Sequence, residues 1–226
     1  MIAIDGPSGA GKSTIAKLLA DRLGFDYLDT GALYRAVALH LVRSGFDESA
    51  SDQDILSAFK GTEVAFSDGR VMINGKDVSM DIRSPEAGHY ASVFSARKPV
   101  RDHLLKIQRN AAETGDLVAE GRDMTTVVFP GACVKFYLDA SVDERTGRRT
   151  RELISKGFAA DEDHIRNDII ARDMRDSGRE IAPLKKADDA YVIDSTRLST
   201  NKVLEKMLEF INHGRGITVG GTRENS

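Results

Sequence analysis

The sequence predicts an α/β fold, in which helices flank a five-stranded parallel sheet that carries a small inserted three-stranded antiparallel subdomain. Three observations predict it. Short apolar runs alternate with stretches whose apolar residues recur at helical spacing, the pattern of repeated strand–helix units in a parallel sheet. One strand–helix junction carries Gly6-Pro7-Ser8-Gly9-Ala10-Gly11-Lys12-Ser13-Thr14, which fits the phosphate-loop pattern G-x-x-x-x-G-K-[ST] at every fixed position. Residues 63–78 then break the alternation with two hairpin signals, Asp68-Gly69 and Asn74-Gly75.

Bulk properties narrow the class. The chain has 226 residues, 41% hydrophobic and 30% charged, which suits one globular domain with an insertion. A formal net charge of −3 gives no electrostatic case for a nucleic-acid partner. Cys133 is the only cysteine, so no intrachain disulfide can form. No long apolar run and no signal-peptide pattern is present, so no membrane partner and a cytoplasmic location are expected.

Taken in order, Ile2-Ala3-Ile4 reads as a buried strand that runs into the loop. Ile15, Leu18, Leu19 and Leu23 mark the helix after it. Glycines let the loop curl so that its N–H groups converge on phosphate oxygens, and the helix N-terminus adds partial positive charge there. Lys12 is expected to face the ligand rather than the core and to reach the β and γ phosphates, with the Ser13 hydroxyl on Mg²⁺. Phe25–Leu28 is a second strand, broken by Asp29-Thr30-Gly31. Leu33, Val37 and Leu41 line the next helix, with Tyr34 and Arg35 in its first turn. The helix dipole disfavours a cation there, so Arg35 is either a solvated surface residue or an anion ligand. Ser51-Asp52-Gln53-Asp54 has the form of a capping box.

Val64, Phe66, Val71, Ile73 and Val78 alternate with polar neighbours, the pattern of a small antiparallel sheet. The expected division is therefore a core of residues 1–59 and 93–213 with an inserted subdomain at 60–92. Ile82-Arg83-Ser84-Pro85-Glu86 resets the chain direction. A helix from Lys98-Pro99-Val100 buries Val100, Leu104, Ile107 and Ala111 and carries Arg101 and Arg109. Leu117–Ala119 is a buried strand that ends in Glu120-Gly121-Arg122-Asp123, charges placed where open α/β sheets bind ligands.

Val134–Leu138 is the next strand. Ser141-Val142-Asp143-Glu144 reads as a capping box for a helix bearing Arg145, Arg148, Arg149 and Arg151. Asp161–Asp176 is a charged helix with Ile165, Ile169 and Ile170 inward. Arg172 and Arg179 share a face if that helix persists. Tyr191–Asp194 is the last strand, and Ser199 caps a final helix through Val203, Leu204, Met207 and Phe210. Residues 214–226 are Gly-rich and polar and are expected to fray.

Arginines beside a phosphate loop suit transfer between two phosphates. Lys12 and Mg²⁺ cannot offset all the negative charge, and a mobile arginine-bearing lid, at about 145–160, would supply more while excluding water.

Tyr27-Leu28-Asp29-Thr30-Gly31-Ala32, the segment Ile82–Glu86, the run Glu120–Met124, and Arg172-Asp173 through Ala182-Pro183-Leu184 resemble bacterial cytidylate (CMP) kinases, P-loop NTPase-type nucleoside monophosphate kinases. The resemblance covers nearly the whole chain, inserted sheet included. It implies ATP plus CMP or dCMP giving ADP plus CDP or dCDP, with Mg²⁺, in pyrimidine metabolism. It implies that Gly6 to Thr14 hold the ATP phosphates and that Arg35, Arg122 and Arg179 hold the CMP phosphate. Arg172 and Asp176 match positions facing the ribose, and Ser92, Arg101 and Asp123 match positions reading cytosine. Thr30 lies near the nucleotide, the subdomain at 60–92 binds the monophosphate, and Arg148 and Arg149 match the lid. With Lys12 and Arg172 they form the implied catalytic set, in an enzyme working as a monomer. One departure stands out: Thr125 follows Met124 where the family carries glycine.

Two other readings stay open on the residues alone: a kinase of another small acceptor, and a nucleotide-binding switch. Against a GTPase switch, no Asn-Lys-x-Asp motif is present; Asn201-Lys202 continues as Val203-Leu204.

Overall fold

Strands β1 (Ile2–Asp5), β2 (Asp26–Asp29), β6 (Leu117–Gly121), β7 (Val134–Asp139) and β8 (Tyr191–Asp194) form the five-stranded sheet in a computed structural model, which describes residues 1–67, 69–113 and 115–215. The order is β2-β6-β1-β7-β8, parallel throughout. Asp5 pairs in register with Gly121 and Tyr137, and Asp29 with Glu120. The phosphate loop and the Glu120–Asp123 run therefore leave the sheet side by side.

Eight helices surround it among the described residues: α1 (Lys12–Leu23), α2 (Thr30–Arg43), α3 (Asp52–Ala58), α4 (Pro85–Phe94), α5 (Lys98–Asn110), α6 (Val142–Ser155), α7 (Glu162–Gly178) and α8 (Thr200–Arg215). The pleat of β1 splits the core in two. Ile2 and Ile4 pack with Ile15 and Leu19 of α1 and Val203 and Met207 of α8. Ala3 packs in the other layer with Leu33 and Val37 of α2 and Val100 and Leu104 of α5. Full burial of each large side chain stabilises the fold by about 1.5–3 kcal/mol relative to exposure.

The inserted sheet consists of β3 (Val64–Ser67), β4 (Arg70–Ile73) and β5 (Lys76–Asp77), in that order and antiparallel. Asn74 (φ 48°) and Gly75 (φ 76°) make the expected primed turn. Asp68 of the other hairpin lies outside the described residues. Val71 and Ile73 join the core layer of α2, so the insertion rests on the main domain. The Ser84 hydroxyl caps α4 by accepting from the Ala87 amide. That helix continues to buried Phe94, so the boundary expected at residue 92 falls inside it.

Several local expectations change. β2 begins one residue late, at Asp26. Asp29 is the N-cap of α2, accepting from the Ala32 amide, so Arg35 sits in the second turn, not the first. Ser51 and Asp54 do form a reciprocal capping box. Ser141 forms only half of one: it accepts from the Glu144 amide, while the Glu144 carboxylate turns to Arg148. α7 stops at Gly178, so Arg179 is extended (ψ 137°) and points by its own backbone rather than along a shared helical face. α8 runs to Arg215, beyond the expected end at 213; residues 216–226 of the expected tail lie outside the described residues. Among the described residues no helix is long and apolar enough to cross a membrane.

Candidate active site

The loop from Gly6 to Thr14 turns from β1 into α1. Gly6 takes a positive φ of 151°, and a Cβ there would lie 1.9 Å from the Leu138 carbonyl oxygen, so no other residue fits beside β7. Pro7, Ser8, Gly9, Ala10 and Gly11 complete the curl, and Lys12 opens the helix. Lys12 lines the cleft that carries this loop but is drawn in rather than open to solvent. It is 5% exposed, and its ammonium donates to the Pro7 carbonyl at 2.7 Å. Burial, then Arg122, pushes its pKa down. Ser13 donates to Glu120 Oε1 at 2.6 Å. Burial, then Asp29, pushes Glu120 up. A hydroxyl and a carboxylate in contact at the foot of a phosphate loop are hard oxygen donors, and they fit Mg²⁺, which keeps waters and takes few protein ligands.

A cleft of 1770 Å³ runs from this loop past Glu120 and Arg122 to Arg35, Ser92 and Arg172. Arginine dominates its far end. Arg35 reaches back to its helix cap, with Nη2 3.3 Å from Asp29 Oδ2, which offsets its unfavourable place near the helix start. Arg122 donates Nε to Asp176 Oδ2 at 2.8 Å. Arg179 Nη1 lies 3.4 Å from Ser95 Oγ and 3.8 Å from Asp176 Oδ1. Burial raises the Asp176 carboxyl, but Arg122, Arg172 and Arg179 overcome it and hold the group below its ordinary value. Burial and then Arg122 push the Arg172 guanidinium down to about 10.

These guanidiniums are not fully satisfied. Among the described residues, Arg172 Nε, Arg179 Nε and Arg179 Nη2 are buried with no hydrogen-bond partner. A buried charged donor left unpaired costs more than the ~1–3 kcal/mol of a neutral one. Such a cluster has the free donors to take up an anion.

The residues matched to base reading also come together. Arg101 and Asp123 form a buried ion pair, at 8% and 2% side-chain exposure. The Arg101 guanidinium stacks 5.7 Å over the Tyr34 ring. Buried Ser92 accepts from Arg175 Nε at 3.2 Å. Thr30 is placed differently: its buried hydroxyl donates to the Glu120 carbonyl at 2.7 Å and pins α2 to β6. At the neighbouring Gly121, a Cβ would approach Thr30 Oγ1 to 2.7 Å.

On α6 the arginines diverge. Arg148 donates to the Ala10 carbonyl at 3.0 Å and the Ser195 carbonyl at 2.8 Å, bracing the loop. Arg149 pairs with Glu152 at 2.8 Å on the surface. Arg145, absent from the expected site, is buried; it donates to the Ser8 and Ala140 carbonyls and to Asp173 Oδ2 at 2.6 Å. Glu120, Arg175 and Asp5 were likewise outside the expected set. Glu120 lay in the charged run already placed at the ligand-binding end of the sheet but was given no role, and Asp5, at the C-terminal end of the neighbouring strand, could have been found by the same placement.

Fold and site define the class: a phosphate-loop kinase, with a donor-type loop and a guanidinium cluster at two ends of one cleft. The cytidylate kinase family model matches residues 2–213. The cytidylate kinase of Thermotoga neapolitana is 50% identical over 210 residues, covering 93% of this chain and 96% of that one. Those of Citrifermentans bemidjiense (51% over 211 residues, 92% and 90%) and Geobacter sulfurreducens (49% over 224 residues, 97% and 96%) are similar to the same degree. The chain belongs to the cytidylate kinase family.

Proposed function

We propose that Gly6 to Thr14 hold the ATP phosphates and that Arg35, Arg122 and Arg179 hold the phosphate of CMP or dCMP. The chain's activity is transfer of the γ-phosphoryl group of ATP to that acceptor, giving ADP and CDP or dCDP. The observation that carries the residue assignment is the buried, partnerless set Arg172 Nε, Arg179 Nε and Arg179 Nη2. An acceptor phosphate would satisfy donors that no described residue satisfies.

In this reading Arg172 and Asp176 also face the ribose, and Arg101, Asp123 and Ser92 read the cytosine edge. Ser13, with Glu120 beside it, would hold Mg²⁺, which offsets phosphate charge when bound. The acceptor phosphate is already ionised near neutral pH, so the chain needs no general base; it positions the phosphates in line and stabilises their charge. Arg149, half-buried on α6 and paired with Glu152, would leave that pair to swing toward the transferring group, and Arg148 steadies the loop that holds the donor. The inserted subdomain, expected at 60–92 and carried by α4 to Phe94, acts on the acceptor side, and residues 145–160 act as the lid. The proposed state is a monomer and the proposed setting is the cytoplasm.

The test is coupled ADP release with ATP, Mg²⁺ and each of CMP, dCMP, UMP, dTMP, AMP and GMP. CMP and dCMP should drive fast turnover. Equal slow hydrolysis with or without any acceptor would instead indicate a nucleotide-binding switch.

A further inference from the structure

Thr125 occupies the position where a glycine was expected, and its backbone needs no glycine: among described non-glycine residues only Asn74 and Ala182 have positive φ. Its side chain has a specific use. Asp5, the last residue of β1, is fully buried. Its Oδ1 accepts from the Met124 amide at 2.9 Å, and its Oδ2 accepts from the Thr125 amide at 2.7 Å and the Thr125 hydroxyl at 2.6 Å. These donors open a π-helical turn, Met124–Val128, whose first carbonyl is that of Asp123: the Val127 and Val128 amides both donate to it, at 2.9 and 3.0 Å. A wide turn of this kind leaves N-terminal amides without partners in its own backbone, and the carboxylate of the neighbouring strand supplies them.

We propose that Thr125 and Asp5 form a positioning pair that fixes the backbone carrying Arg122 and Asp123, and so sets how tightly the acceptor nucleotide is held. The inference rests on the acceptor-side roles given above to Arg122 and Asp123. Its physical basis is that the Asp5 carboxylate has no other described hydrogen-bond donors. A glycine at 125 would leave two amides to hold a buried charge; the threonine adds a third donor from the same residue. Burial pushes Asp5 up to about 6, and the Thr125 hydroxyl is the strongest of the contacts that hold it down. The pair also joins the two halves of the site. Asp5 is followed directly by Gly6, so the residue that anchors the acceptor-side turn also leads into the donor loop.

The test compares Thr125→Val, Thr125→Gly and Thr125→Ser with the unaltered enzyme, measuring KM for CMP, KM for ATP and kcat. Valine keeps the bulk and removes the hydroxyl; glycine removes both; serine keeps the hydroxyl. KM for CMP should rise about fivefold in the valine and glycine variants, the size of one buried hydrogen bond. KM for ATP should stay within about twofold, and the serine variant, which keeps the hydroxyl, should hold KM for CMP near that of the unaltered enzyme. Unchanged KM for CMP in the valine and glycine variants overturns the proposal. So does a loss in valine alone, which would mark a packing effect, or a parallel rise in both KM values that serine fails to rescue. If valine prevents folding, the glycine and serine variants decide. An Asp123→Asn arm keeps the two readings apart: an unchanged CMP-to-UMP ratio there removes base reading by Asp123, while the Thr125 series still reports on the turn through Arg122.

Discussion

Asp123 is buried against Arg101, so a cytosine ring would be read by a pair that already satisfies itself in the free protein. Burial raises the Asp123 carboxyl even though Arg101, Arg179 and Arg122 oppose it. A carboxylate accepts from the N4 amine of cytosine and repels the O4 of uracil, whereas an asparagine can turn its NH₂ toward that O4. Asp123→Asn should therefore lower the ratio of kcat/KM for CMP over UMP by about tenfold, within the ~1.5–3 kcal/mol of a charge-assisted bond. A ratio that holds while both rates drop together would make Asp123 structural. Glu120 and Lys12 offer a second residue-scale test. Glu120 is raised, so its folded form keeps a proton that the unfolded form loses, and stability falls as pH climbs from the carboxylate range toward neutrality. Lys12 is lowered, so above neutrality the unfolded chain binds the extra proton and stability rises again with pH. The free protein thus carries a stability minimum near neutrality from this pair. Glu120→Gln should raise Tm at neutral pH by about 2–4 °C, as ~1 kcal/mol does for a chain of this size, while lowering kcat. A lower Tm on a thermal melt would contradict it.

At the scale of elements, the arginine run on α6 does more than form a lid. Arg145 ties three elements together: the Ser8 carbonyl of the phosphate loop, the Ala140 carbonyl before α6, and Asp173 on α7. Arg145→Lys keeps the charge but loses the planar fork that makes these bonds together. It should lower kcat about tenfold, through the misplacement of donor against acceptor, with the helical circular-dichroism signal unchanged. Full activity would show that the loop and α7 are positioned independently. The elements themselves were largely legible. Strand–helix alternation, the Asn74-Gly75 turn and the Ser51 capping box come from local chemistry that the chain states in a few residues. What could not be read locally depended on distant partners. Lys12 donates to the Pro7 carbonyl five residues back, and Glu144 leaves its capping box because Arg148 competes for it. Thr30 belongs to the Glu120 carbonyl, ninety residues away, and no spacing rule points there. The arginines to either side of the cleft were visible as residues, but their burial and their missing partners were not.

Over the whole molecule, several of the groups assigned above are paired within the chain: Lys12 with the Pro7 carbonyl, Ser13 with Glu120, Arg101 with Asp123. Binding both nucleotides would exchange these contacts for phosphate and base contacts, and the unpaired donors of Arg172 and Arg179 favour that exchange. The parallel sheet makes the exchange possible because the donor loop after β1 and the acceptor-side run after β6 leave from paired strands. The account stands on the separation of a donor end and an acceptor end in one cleft, and Arg179→Ala tests it most directly. We expect kcat/KM for CMP to fall at least about tenfold, the scale of one charge-assisted bond, with ATP affinity measured in the absence of acceptor unchanged. An equal loss of ATP affinity would place Arg179 on the donor side and contradict the assignment.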